Sequence, residues 1–401
     1  LISDEIHCDL VLDDLPHISG LKFAGHDGPP VVAMFAPSKT FNLAGLACAF
    51  LVIPDATTRR TFQRAARGLI TEINAFGYTI PPKSAVEAAI EYLQKHHGYA
   101  ATAEQIVWFP GLVPALNVAC RAFVQPGEEV LTCTPVYPPF LSAPEFAGVG
   151  LRKVDLAERD GVWDIDFAAL EAAVAPKTKL FILCNPHNPV GRVFPETTIA
   201  RLAEFCRKHK LVLILDEIHG DLVLDNLPHT SGLKFAGPDG PPVVAMFAPS
   251  KTFNLAGLAC AFLVIPDANT RRTFQRAARG LITEINAFGY TGCEAALRHG
   301  WPWRDQLLDV LRANRDHVEK FVASSLPGIR TWHVEATYLA WLDARTLGIP
   351  NVCKFFEHHG VGLSDGVPFG AEPGFLRLNF GCPRAQLDEA LDRMARALAS
   401  R

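Results

Sequence analysis

The sequence predicts an α/β protein: a mostly parallel sheet flanked by helices, followed by a smaller α+β domain. Three observations carry that expectation. Across 80–300, short apolar runs alternate with helical patterns, as strands joined by helical crossovers do. After 300 the order changes to one long amphipathic helix, two strands and a closing helix. The composition suits a packed interior, with 49% of 401 residues hydrophobic and 20% charged, which excludes a disordered chain.

The elements follow in order. Ser84 and Glu87 form an S-x-x-E capping box, predicting a helix that buries Val86, Ala89, Ile90 and Leu93. Helical spacing recurs at 113–123, 166–174 and 196–209. Apolar runs at 130–133, 180–184, 211–215, 243–247 and 260–265 read as buried strands. Further on, Leu307, Val310, Leu311, Val318 and Phe321 share one face of a helix over about 303–324. Strands at 338–342 and 375–379 and a helix from about 384 complete the chain. The expected units are a large domain over 80–300 and a small one over 301–401, preceded by a repeat.

That repeat is the most unusual feature. Residues 1–79 duplicate 213–291 at an offset of 212, with six differences: Ser3/Leu215, Cys8/Gly220, Asp14/Asn226, Ile18/Thr230, His26/Pro238 and Thr57/Asn269. Both copies end on FGYT and diverge completely beyond it. With only two copies, separated by residues 80–212, a solenoid is excluded.

Composition excludes several classes of function. A net charge of −4 gives no reason to expect nucleic-acid or anionic-membrane partners. The longest apolar stretch, 255–265, is too short for the roughly 20 residues of a membrane span. Residues 1–7 carry Asp4 and Glu5 rather than a basic-then-apolar leader. The ten cysteines include no C-x-x-C pair, so neither a disulfide framework nor a structural zinc is expected, and a reducing cytoplasm is. The adjacent pairs His96-His97 and His358-His359 point about 100° apart on a helix. They read as solvated helix ends rather than metal ligands.

Four segments at strand ends carry chemistry, where open α/β sheets place their ligands. Gly111, opening a helix in PGLVP, allows close backbone approach and free N–H groups for an anion, or an ordinary turn. In NPHNPVGR, paired Asn-Pro steps stiffen a loop that can aim the Asn188 amide at a ligand. Asp216, after LVLIL, either starts a surface turn or sits buried and requires a cationic partner. Lys251, amid Phe247, Phe253 and Leu255, either snorkels to solvent or is desolvated enough for Schiff-base chemistry.

Taken together, these segments resemble the fold-type-I pyridoxal-phosphate enzymes of the class I/II aminotransferase superfamily, and within it the cystathionine β-lyase (C–S lyase) branch. The resemblance rests on PGLVPAL (110–116), PVYPPF (135–140), NPHNPVGR (185–192) and DEIHGDLVL (216–224). It continues through APSKTFNLAGL (248–258), ATYLAWLD (336–343), GVGLSDGVPFG (360–370) and FLRLNFGCPR (375–384), covering about 78–401 in family order. It implies an aspartate-aminotransferase-like fold and pyridoxal 5'-phosphate as cofactor. By that resemblance Lys251 forms the Schiff base and Asp216 pairs with the pyridine nitrogen. Asn188 and His219 lie near the ring hydroxyl, and Tyr137 stacks on the ring. The backbone at Gly111, Leu112 and Val113, with Ser250, holds the phosphate, and Arg377 binds the substrate α-carboxylate. Tyr78 falls where the family places a tyrosine that reaches a neighbouring subunit's phosphate, which implies a homodimer with shared sites.

The implied activity is cleavage of cystathionine or a related S-substituted cysteine to a thiol, pyruvate and ammonia. An aminotransferase on the same scaffold and an inactive cofactor-binding or regulatory protein are the alternatives. The chain departs from the family before the Gly-Tyr joint, where copy 1 of the repeat replaces the family's own N-terminal segment. Copy 1 carries Asp4, His7, Ser38 and Lys39, the counterparts of Asp216, His219, Ser250 and Lys251. It lacks a preceding NPHNPVGR and a phosphate loop. Ser3 stands where a buried strand needs Leu215, so copy 2 and Lys251 are expected to hold the central place.

Overall fold

The computed structural model describes residues 1–5, 17–24, 28–35, 50–66 and 81–400. His7, Ser38, Lys39 and Tyr78 lie outside the described residues.

Copy 1 contributes β1 (Ile2–Asp4), β2 (Val32–Phe35) and β3 (Phe50–Val52), which form a three-stranded sheet of their own. The next strands are β4 (Ile106–Phe109), β5 (Glu129–Thr134) and β6 (Gly150–Asp155), then a hairpin of β7 (Ala157–Arg159) and β8 (Val162–Asp164). They are followed by β9 (Thr178–Cys184), β10 (Val212–Asp216), β11 (Val243–Phe247) and β12 (Ala261–Val264). Together they build a seven-stranded sheet in the order β4-β12-β11-β10-β9-β5-β6, in which only β12 runs antiparallel to its neighbours. Last come β13 (Arg330–Thr331), β14 (Leu339–Asp343), β15 (Ser364–Asp365) and β16 (Phe375–Asn379), an antiparallel sheet ordered β13-β14-β16-β15.

The continuous apolar runs are explained by burial on both faces of the seven-stranded sheet. Along β9, Leu180 and Ile182 face the core under helix Leu112–Phe123. Their neighbours Phe181 and Leu183 face the core under helix Glu196–His209. Side chains alternate across a strand, so both parities must be apolar when both faces are covered. Helices Trp301–Ser325 and Arg384–Ala399 cover the C-terminal sheet through Leu311, Val318, Leu391 and Met394. Among the described residues no helix is long and apolar enough to cross a membrane.

Two helix expectations need correction. Helix Lys83–His97 is capped by Pro82 without a side-chain bond, and Ser84 instead donates from Oγ to Glu294 Oε2 at 2.8 Å. Its buried face is Ala85, Ala88, Ala89, Tyr92 and Leu93, while Val86 and Ile90 are only partly covered. Packing against helix Ala287–His299 selects the small-residue stripe, which brings the backbones close. In helix Trp301–Ser325 the buried residues include Leu308 and Val322, and Val310 is exposed. In both cases the pattern was legible, but the rotation of the helix on its axis was set by its tertiary neighbour.

The two copies make a natural comparison. Copy 1 reproduces the register of copy 2: Asp4 faces Met34 as Asp216 faces Met246, and Ala33 faces Val52 as Ala245 faces Val264. Glu5 accepts from Ser19 Oγ (2.9 Å) and Gly20 N (2.8 Å), as Glu217 accepts from Ser231 Oγ (2.9 Å) and Gly232 N (3.0 Å). Local structure therefore follows local sequence. Context differs: Ile214 is fully buried between β9 and β11, whereas Ile2 is 72% exposed on an edge strand. Leu215 decides which copy fits. It is fully buried against Gly232, where an added Cβ would meet Leu215 Cδ1 at 2.0 Å. Truncating such a leucine costs about 2–5 kcal/mol, and Ser3 adds a hydroxyl to satisfy.

The apolar strands of copy 1, outside the central sheet, pair with one another, with β1 and β3 as edges among the described residues. Exposed edges invite pairing with another chain. Deleting residues 1–75 keeps the FGYT joint and is expected to give a more soluble chain that retains more cofactor. Sedimentation and cofactor content check this; a less soluble truncation with less cofactor would make copy 1 a working part of the fold.

Candidate active site

The carboxyl ends of β9, β10 and β11 meet at one edge of the sheet. At the end of β10, Asp216 is 4% exposed, opposite Cys184 in the β9 register. Its Oδ1 accepts from Ile218 N at 3.1 Å. Burial pushes the carboxyl up to about 7, helped by the Glu217 charge and opposed by the Ile218 N–H and Lys251. His219, three residues on, is buried. Burial, then the nearby Lys251 and Arg377 cations, hold its ring down at about 3, so the imidazole is neutral near pH 7.

Beyond β9, the Asn-Pro loop is pinned from several sides. Asn185 Nδ2 donates to Thr230 O at 3.1 Å, and the buried His187 ring bridges Cys184 O (3.0 Å) and Pro135 O (2.8 Å). Gly191 adopts φ +71°, and a Cβ there would meet Val334 Cγ1 at 2.7 Å, so no side chain fits. Arg192 pairs with Glu335 across this joint. The loop thereby holds the Asn188 amide, 5% exposed, where its Oδ1 accepts from Arg377 Nη1 at 3.1 Å.

Arg377 comes from β16, at the register position facing Ser364 of β15. Its Nη2 donates to Ser364 Oγ at 3.3 Å, and its guanidinium lies 4.7 Å from the Phe369 ring centroid. Burial lowers its pKa, and Nε is buried without a partner among the described residues. After β11, helix Pro249–Thr252 carries Ser250 and the half-buried Lys251. Gly111, at φ +126°, precedes helix Leu112–Phe123, whose first-turn N–H groups have no intrahelical partner. Tyr137 follows β5; burial and the Asp216 charge raise its phenol.

One cavity of about 550 Å³ joins these pieces. Gly111, Leu112 and Val113 line one part, and Ser250, Lys251, Asp216 and His219 another. Tyr137, Asn188 and Arg377 complete the set, so ten of the eleven candidate residues share this cavity. The eleventh, Tyr78, lies outside the described residues. Cys184, Tyr338 and Asn379 also line it and were not singled out as site residues. Tyr338 falls within ATYLAWLD, but its placement depends on Thr337, a buried residue at φ +78° held by Thr337 N donating to Leu222 O at 2.9 Å. No sequence pattern signals a left-handed threonine.

The cavity's chemistry defines what fits. Among the described residues, Asp216 is a buried carboxyl lacking a hydrogen-bonded cation, and Arg377 is a half-buried cation whose buried Nε has no partner. His219 Nδ1 is likewise buried and unpartnered. Helix N–H groups beside Ser250 suit an anion. A phosphorylated pyridinium together with an α-carboxylate answers these demands.

The class I and II aminotransferase family pattern matches residues 57–394. The chain belongs to the class I and II aminotransferase family. Among similar proteins of the family, cystathionine beta-lyase PatB of Bacillus subtilis is 36% identical over 352 residues, covering 86% of this chain and 89% of PatB. The crystal structure of OvoB superposes with a TM-score of 0.79 at 37% identity, covering 85% of this chain and 89% of that one. Cystalysin from Treponema denticola, whose crystal structure contains pyridoxal 5'-phosphate, gives a TM-score of 0.77 at 29% identity, covering 84% and 88%.

Within this aminotransferase-family chain, Asp216 gives a direct test. Its native pKa of about 7 lies above the ordinary 3.8. The native state therefore keeps a proton that the unfolded state has released, and stability falls as pH rises through that window. Asp216→Asn should raise the melting temperature of the cofactor-free chain at about pH 8 and leave it unchanged at about pH 4. Equal melting temperatures at the higher pH would mean that Asp216 is not desolvated.

Proposed function

We propose that this chain is a pyridoxal 5'-phosphate-dependent C–S β-lyase acting on cystathionine or a related S-substituted cysteine. The observation that carries the reading is the convergence, in one cavity, of Lys251, Asp216 and Arg377 from three different elements. The name of the Bacillus subtilis relative supports the lyase branch.

When bound, pyridoxal 5'-phosphate supplies an electron sink for charge developing at the substrate's α-carbon. Lys251 Nζ is the group that anchors the cofactor and then moves the α-proton. Asp216 keeps a proton at the ring nitrogen. Asn188 and the neutral His219 would address the ring hydroxyl, and Tyr137 would pack against the ring. Gly111, Leu112 and Val113 offer backbone N–H groups to the phosphate, joined by Ser250. Arg377 holds the α-carboxylate as a planar fork, with Asn188 and Ser364 fixing its orientation.

The family resemblance assigns Tyr78, outside the described residues, to a neighbouring subunit's phosphate, and on that ground the proposed working assembly is a homodimer. Light scattering on the purified chain tests it. A reducing cytoplasm suits the six buried free thiols among the described residues.

The deciding experiment incubates the cofactor-loaded chain with cystathionine and no keto acid. Pyruvate and a thiol in equal amounts support the lyase. Turnover that requires a keto-acid acceptor assigns a transaminase, and neither product assigns an inactive binding protein.

A further inference from the structure

The expectation that His96 and His97 form a solvated helix end does not hold. His96 stacks on Trp301, with ring centroids 3.9 Å apart. His97 packs edge-on against His229 at 5.6 Å and tilted against Phe247 at 5.0 Å. His358 and His359 are exposed, as expected. His97 therefore ends helix Lys83–His97 inside the protein, beside Glu217 and His229.

We infer that His97, Glu217 and His229 form a binding site for a zinc-class divalent cation, separate from the cofactor cavity. One donor atom from each residue lies within 4.8 Å of the other two. None of the three lines the cofactor cavity. The Glu217 side chain is fully buried and that of His229 is 7% exposed.

Two of the three donors, Glu217 and His97, are already oriented by a second set of contacts. Glu217 Oε1 accepts from Ser231 Oγ at 2.9 Å and from Gly232 N at 3.0 Å, which leaves Oε2 facing His229 Nε2 at 2.9 Å. His97 Nε2 bonds Tyr92 Oη at 2.8 Å, and that hydroxyl reaches Asp221 at 3.1 and 3.2 Å. A histidine tied at one nitrogen to a phenol–carboxylate chain is oriented as metal-ligating histidines are. His97 Nδ1 and His229 Nδ1 are both buried with no hydrogen-bond partner among the described residues. Copy 1 shows which part of the cluster is mere scaffold. Glu5, His17, Ser19 and Gly20 make the same clamp there, so the clamp forms from local sequence alone. His97 lies outside the repeat, and it is the donor that turns the Glu–His pair into a three-ligand set.

Two imidazole nitrogens and one carboxylate oxygen, with water in the fourth position, are a standard zinc donor set. Tetrahedral ligation asks for donor separations of about 3.3 Å. Ligation therefore requires the His97 ring, at the helix terminus before Gly98 at φ +64°, to move inward from its present separation. On binding, the cation takes the place of the proton shared by His229 Nε2 and Glu217 Oε2, and that proton is released to solvent.

The test titrates the cofactor-loaded full chain, stripped of metal by a chelator, with Co²⁺ and then Zn²⁺. The expected result is one equivalent of Co²⁺ with the visible d–d absorption of a tetrahedral site, displaced by Zn²⁺. His97→Ala and the bulkier His97→Gln should each weaken binding by about 100-fold. A His358→Ala/His359→Ala double variant should bind as the parent does. Absence of d–d absorption overturns the proposal. So does undiminished binding in both His97 variants, or loss of binding in the surface double variant. Melting temperatures of the metal-free variants matching the parent exclude misfolding as the cause of a loss.

Discussion

Lys251→Ala is expected to lower the proposed lyase turnover by more than about 10³-fold, because in the proposed mechanism one amine serves both as anchor and as the proton-moving group. Lys39→Ala, the same change in copy 1, should leave turnover and cofactor content unchanged. The assignment follows from position. Lys251 shares a cavity with Asp216 of β10, Asn188 of the loop after β9 and Arg377 of β16, strands of the two larger sheets. The Asn-Pro loop residue Asn188 and the Gly111 turn line the same cavity as Lys251. Borohydride reduction followed by peptide mapping reads the outcome directly. Cofactor trapped on Lys39 would transfer the role to copy 1.

Arg377→Lys should raise KM for the amino-acid substrate by about 10- to 100-fold with a smaller effect on kcat. An ammonium cannot reproduce the planar fork that reaches Asn188 Oδ1 and Ser364 Oγ at once. It also loses the stacked contact with Phe369. A substrate analogue lacking the α-carboxylate should react alike with parent and variant. An unchanged KM for the full substrate would remove Arg377 from the carboxylate clamp.

Much of this site was legible because its residues sit at ends of strands that announce themselves. The runs before Asn185, Asp216 and Ala248 are apolar in both parities, which only a strand covered on both faces requires. The residue that follows each run then stands at the carboxyl edge. Tyr338 was not legible as a site residue, because its approach depends on a left-handed Thr337 anchored to Leu222 from a distant part of the chain. His97 was missed for a related reason. Adjacent histidines say nothing about the side on which the helix packs, and Phe247, Trp301 and His229 decide that.

The repeat separates what sequence determines from what tertiary structure decides. Seventy-nine nearly identical residues produce the same strand register and the same Glu–His–Ser clamp in both copies, since those contacts lie within the segment. Alternation, turn chemistry and short-range hydrogen bonds suffice there. Which copy occupies the central sheet is not contained in that shared pattern. It depends on β9 and β4 as neighbours and on Gly232 leaving room for Leu215. Burial is a property of the surroundings: the same isoleucine is fully enclosed at 214 and mostly exposed at 2. Asp216 thereby becomes a desolvated carboxyl that requires a cation, while Asp4 ends an exposed edge strand.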